Sequence, residues 1–193
     1  MKRILLFSLL LAPLADEALR ELYESGQTYE AFLEQADRRK AMWHDNTEKA
    51  VVPDSIRTRL QAVAGTWHLL AIAVDGCSDS ANTIPYLAAL VDAGDGLTMR
   101  IVGSDVGREL MEAHRTPDGR PATPTVVLLD AEYELAGVFI ERPAPLQEWA
   151  IAHRDSMSSG EFLQAKFDWY DQDLGRTTMH EVVELMEAAA AGQ

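Results

Sequence analysis

The sequence predicts an α/β domain: a mixed central sheet of about four strands, flanked by helices and extended by further helices at both ends. Three observations carry this. Two apolar runs, Trp67 to Val74 and Leu97 to Val102, are separated by a helical pattern, as in a parallel strand pair joined through a helix. Two more, Val126 to Leu129 and Leu135 to Ile140, flank the short connection Asp130-Ala-Glu-Tyr-Glu134 and predict an antiparallel hairpin. Before Gly65 and after Pro143 the apolar residues recur at helical spacing. The chain therefore divides into an N-terminal helical extension (1–65), a core (66–143) and a C-terminal helical extension (144–193) of the same domain.

In chain order, Ala15 to Ser25 reads as a helix with Leu19, Leu22 and Tyr23 on one face, stopped by Gly26. Thr28 is the N-cap expected for a second helix reaching about His44, broken by Asp45-Asn46-Thr47. A third opens at Asp54 after Pro53, with Ile56, Leu60 and Val63 as its apolar stripe. These helices are expected to cover one face of the sheet or to form part of a substrate groove. Within the core, a helix from Ser78 to Ala93 should bend at Pro85, whose ring removes a backbone donor. Val106 to His114 is a short helix. The tail reads as helices over Leu146 to Met157 and Gly160 to Asp171, then a last helix started by the capping-box pattern Thr178-Met-His-Glu181, with a fraying alanine-rich end.

Composition excludes several functions. With 31 Asp and Glu against 17 Lys and Arg, the formal net charge of −14 opposes binding to nucleic acid or to anionic membrane surfaces. The hydrophobic share of 47% is that of a folded globular chain. One cysteine makes no internal disulfide and no cysteine-rich zinc site, and the five histidines lack metal-ligand spacing, so no metal is expected. Nor is a cofactor, since there is no Gly-rich phosphate loop or dinucleotide fingerprint.

Met1-Lys-Arg followed by the apolar run Ile4 to Ala15 has the charged start and short apolar core of a signal-like segment. It is too short to span a bilayer, and Pro13 spoils cleavage after Ala15. The expectation is a cytoplasmic protein, with export to the periplasm or the outside as the alternative. An uncut apolar start has to be buried against something, which makes this segment a place for a protein partner.

The chemistry converges on Asp75-Gly-Cys-Ser-Asp-Ser80. A strand running into a turn that delivers Cys77 to a helix start is a way to favour a thiolate, through exposed N–H groups and the helix dipole. The hydroxyl of Ser80, three positions on, faces back toward that sulfur. Asp75 and Asp79 flank the thiol and oppose its ionisation, and no Lys, Arg or His within the motif offsets them. Arg142 is expected to join an ion pair.

Cys77, Pro85 eight residues beyond it, and Thr123-Pro124 before the run at Val126 together resemble the thioredoxin superfamily. There a Cys-x-x-Cys opens a helix kinked by proline, and a cis-proline before a later strand faces the thiol. The Cys-x-Asp-Ser-Ala-Asn stretch, Pro85-x-Leu, Arg100-Ile-Val with Glu109-Leu-Met111, and Glu141-Arg-Pro143 resemble a bacterial thioredoxin-like group with helical additions at both ends, over roughly Tyr23 to Met186. Two positions depart from it. Ser80 stands where a second cysteine would, and Gly76 replaces the usual tryptophan.

The resemblance implies a thioredoxin-like fold with a Cys-x-x-Ser site, in which Cys77 is nucleophile with Ser80 beside it. Gly76, Thr123 and Pro124 would dock substrate backbone, as an added strand would. Asp75, Asp79 and Pro85 would shape the site. Serine cannot attack a mixed disulfide, so the implied activity is monothiol thiol–disulfide exchange. It would use a protein or a low-molecular-weight thiol or disulfide as substrate and need a second thiol, such as glutathione, for release. The alternative is a redox-inactive thioredoxin fold that docks a protein partner as a binding module or scaffold subunit.

Overall fold

A computed structural model describes residues 12–192. Its elements are α1 (Ala12–Glu24), α2 (Tyr29–Gln35), α3 (Lys40–Lys49), α4 (Asp54–Ala62), β1 (Trp67–Ile72), α5 (Ser78–Ala81), α6 (Ile84–Ala93), β2 (Leu97–Val102) and α7 (Arg108–Ala113). Then come β3 (Thr125–Leu129), β4 (Leu135–Ile140), α8 (Ala144–His153), α9 (Ser159–Asp173) and α10 (Arg176–Gly192). The apolar start Met1 to Leu11 of the signal-like segment lies outside the described residues. Among them, no helix is long and apolar enough to cross a membrane.

The four strands lie in the order β2-β1-β3-β4. β1 is parallel to β2, with Trp67 opposite Leu97 and Ile72 opposite Val102. β3 is antiparallel to both β1 and β4, and its pairing with β4 shifts register at Leu128/Leu129. The period of two then sorts side chains between two cores. Leu69, Ala71, Val126 and Leu128 face one, with Trp43, Ile56, Leu60, Leu87, Val182 and Met186 from α3, α4, α6 and α10. Leu70, Ile72, Val127 and Leu129 face the other, with Tyr23 of α1 and Met111 of α7. The N-terminal helices thus cover both faces, where one was expected.

Five local expectations change. The helix predicted from Thr28 to His44 is two helices, because residues 36–39 leave helical geometry and Arg39 is left-handed at φ 52°. Asp45-Asn46-Thr47 sits inside α3, anchored by Asn46 donating to the Ala81 carbonyl at 2.8 Å. The bend expected at Pro85 falls earlier, at Asn82 and Thr83. Pro85 then occupies the first turn of α6, where its missing donor costs nothing. The capping box is not at Thr178, whose buried hydroxyl has no partner among the described residues. It is at Ser158, which accepts from the Glu161 N–H while Glu161 accepts from the Ser158 N–H. The predicted fraying end is helical to Gly192.

Candidate functional site

β1 ends at the centre of the sheet, and the chain turns through Asp75 and Gly76 to put Cys77 at the N-cap of α5. The sulfur is half-buried and lies between two backbone groups. It accepts from the Ser80 N–H at 3.5 Å and donates its own proton to the Thr123 carbonyl at 3.2 Å. The Thr123–Pro124 peptide is cis and leads directly into β3. Cys77, Ser80, Thr123 and Pro124 are therefore brought together. Ser80 serves through its backbone: its hydroxyl is fully buried with no hydrogen-bond partner among the described residues. The predicted hydroxyl-to-sulfur contact is replaced by one of the donors that a helix start leaves unpaired.

The two flanking carboxylates do not act as the sequence suggested. Asp75 accepts from the N–H groups of Asp37 and Arg38 at 3.3 and 3.0 Å, tying the α2–α3 connection to the turn before the thiol. Trp43 of α3 reinforces this by donating from its indole to the Asp75 carbonyl at 2.9 Å. Asp79 points into the protein. Its carboxylate receives Lys166 at 2.9 Å, Arg142 at 3.1 and 3.2 Å and the Tyr170 hydroxyl at 2.8 Å. Burial works against its charge, but Lys166 and Arg142 outweigh that and hold its pKa below the ordinary carboxylate range. The same burial, together with the Asp79 charge, pushes the Tyr170 hydroxyl well above its usual value, so it stays a donor.

No cation lies within the motif, yet tertiary structure supplies two from residues 63 and 87 positions away. The field that Asp79 was expected to impose on the thiol is thereby offset. Arg142 does join an ion pair, with a carboxylate of the site itself. The pairing continues outward from Arg142 to Glu141, then to Arg120, Asp118 and Arg154. Glu141 also donates its N–H to the Pro124 carbonyl at 2.7 Å. Adjacent residues after β4 thus hold both halves of the site, the Cys77 helix through Asp79 and the proline loop through Pro124.

Sequence reasoning missed Lys166, Tyr170, Trp43, Arg38 and Arg39. The only local signal was the four-residue spacing of Lys166 and Tyr170, which puts both on one face of α9. Gly76 has a concrete steric reason. A Cβ there would lie 2.5 Å from the Arg38 guanidinium carbon. Among the described residues no group of three or more His, Cys, Asp or Glu side chains could hold a metal ion.

A half-buried thiol at a helix start, facing a cis-proline loop at the end of the two central strands of a mixed four-stranded sheet, defines a thioredoxin-fold protein. A family model described as Thioredoxin matches residues 26–158, and the chain belongs to that family. Two solved structures share the fold. A protein of unknown function from Pseudomonas aeruginosa is 20% identical, with a TM-score of 0.70 over 88% of this chain and 97% of that one. An HIV epitope-scaffold is 19% identical, with a TM-score of 0.68 over 87% and 96%. No match was found among curated proteins.

Proposed function

We propose that this protein is a monothiol thiol–disulfide oxidoreductase acting through Cys77. The observation that carries the reading is the placement of the sulfur, half-exposed between the Ser80 N–H and the Thr123 carbonyl. The first group can donate to the sulfur and the second can accept from it. In the reaction the Cys77 sulfur attacks one sulfur of a substrate disulfide. A new Cys77 disulfide forms, the old S–S bond breaks, and the leaving sulfur takes the electron pair and a proton. Ser80 has no thiol with which to release the product, so a second, external thiol completes the exchange.

The other reading, a thioredoxin fold kept to dock a protein partner, is favoured by one feature: the serine in the resolving position is wholly buried. The two separate in one experiment. Native protein is incubated with a disulfide substrate and an external thiol, and mixed-disulfide formation is followed by intact mass. The redox reading expects a Cys77 adduct that the external thiol removes. Absence of any adduct in the folded protein leaves the docking reading.

A further inference from the structure

Building on the single-thiol reading, we propose that Arg38 and Arg39 make Cys77 selective for carboxylate-bearing thiols and disulfides, with the cleft between α3 and α9 holding the body of that molecule. The two arginines reach the site because the Asp75 carboxylate binds the N–H groups of Asp37 and Arg38. Arg39, in a left-handed conformation, then donates from Nε to the Gly76 carbonyl at 2.8 Å. Arg38 lies over Gly76 itself, its Cζ and Nε 2.5 and 2.7 Å from where a Cβ would stand. Since consecutive Cα atoms are about 3.8 Å apart, that guanidinium sits within about 8 Å of the Cys77 Cα. The space that a side chain before the cysteine would fill is occupied by a cation.

The carboxylates nearest the thiol already have partners. Asp75 is engaged by backbone donors and Asp79 by Lys166 and Arg142. Among the described residues, neither Arg38 nor Arg39 is paired with a carboxylate. Both are exposed, as is the neighbouring Asp37. Arg39 also borders a cleft of about 600 Å³, where Lys40 and Lys49 add two more cations against Asp45 and Asp171, and Met42 and Phe167 supply apolar surface. A volume of that size suits a small molecule of several residues' bulk. A guanidinium binds a carboxylate in a planar, two-bond geometry, for which a neutral or cationic thiol has no matching group. The bound carboxylate orients its own disulfide, whose sulfur Cys77 attacks as above, with the free carboxylate-bearing thiol as leaving group.

The test compares three symmetrical disulfides on native protein: 3,3′-dithiodipropionate (dianionic), cystamine (dicationic) and bis(2-hydroxyethyl) disulfide (neutral). Each rate is divided by that of the neutral thiol N-acetylcysteinamide, which removes intrinsic reactivity. With a chain charge of −14, nonspecific attraction favours the dication. The proposal expects the opposite, a normalised preference for the dianion of about tenfold, abolished by salt and by Arg38→Gln with Arg39→Gln. Arg38→Gln alone, whose guanidinium makes no hydrogen bond to the described residues, is the variant least able to disturb folding and should lower the preference by itself. Preference for the dication, or a dianion preference unchanged in these variants, overturns the proposal while leaving a reactive thiol. Failure of all three disulfides to react before unfolding overturns the single-thiol reading and this proposal with it.

Discussion

At Cys77 the side chain is poised by main-chain atoms alone, so its environment survives changes in neighbouring side chains. Cys77→Ala is expected to abolish mixed-disulfide formation without loss of fold, because the N-cap carbonyl still accepts from Ala81 at 3.1 Å. Ser80→Cys is expected to restore a resolving thiol and allow turnover with a dithiol reductant, read by insulin-type disulfide reduction. A Ser80→Cys protein that traps the same adduct as wild type contradicts the assignment of position 80. That Cys77 starts a helix was legible from the strand–turn–helix pattern, and that the cis Pro124 faces it was implied by the resemblance. The true roles of Asp75 and Asp79 were not, because each is decided by a partner far along the chain.

Helices show the same division. α6 and α4 could be read from spacing and from their prolines, whereas the break before α3 could not. Nothing in Ala36-Asp-Arg-Arg39 announces it; the break exists because Asp75 and Gly76 capture that segment. α9 matters through one face, where Lys166 and Tyr170 reach Asp79. Lys166→Met leaves a buried carboxylate with one cation fewer and is expected to cost about 3 kcal/mol in urea unfolding. An effect under ~1 kcal/mol would show that Arg142 alone satisfies Asp79. The α9–α10 junction turns at Leu174 and Gly175, both left-handed. A Cβ at Gly175 would stand 2.1 Å from the Tyr86 ring. Gly175→Ala should therefore cost at least about 2 kcal/mol, through backbone strain and overpacking together.

For the whole molecule, the sheet was legible almost to the residue, since the continuous apolar runs of β1 and β3 mark central strands buried on both faces. How the N-terminal helices divide between those faces was not, because an amphipathic stripe states that it is buried but not where. The ion-pair network from Asp79 to Arg154 joins the core to the C-terminal helices and ties fold stability to pH. Asp79 and Asp118 are both held below the ordinary carboxylate range, Asp79 by Lys166 and Arg142 against its burial, Asp118 chiefly by its bond from Arg120. The unfolded chain protonates them near pH ~4, the folded chain only at lower pH. Their stabilisation is thus fully present above that range and lost as pH falls through it. Thermal melts from pH 7 down to 3 should show a falling Tm below about pH 4, less steep in Asp79→Asn. A Tm independent of pH there contradicts the network's role.

The account's central claim is that Cys77 is a working nucleophile, and alkylation tests it most directly. Iodoacetamide labelling of native protein is compared across pH 6–9 with the pentapeptide of residues 75–79, by mass spectrometry, at matched ionic strength. Labelling of the folded protein at Cys77 is expected throughout that range, without prior unfolding. Labelling far slower than the peptide's throughout, or only after unfolding, would contradict the claim.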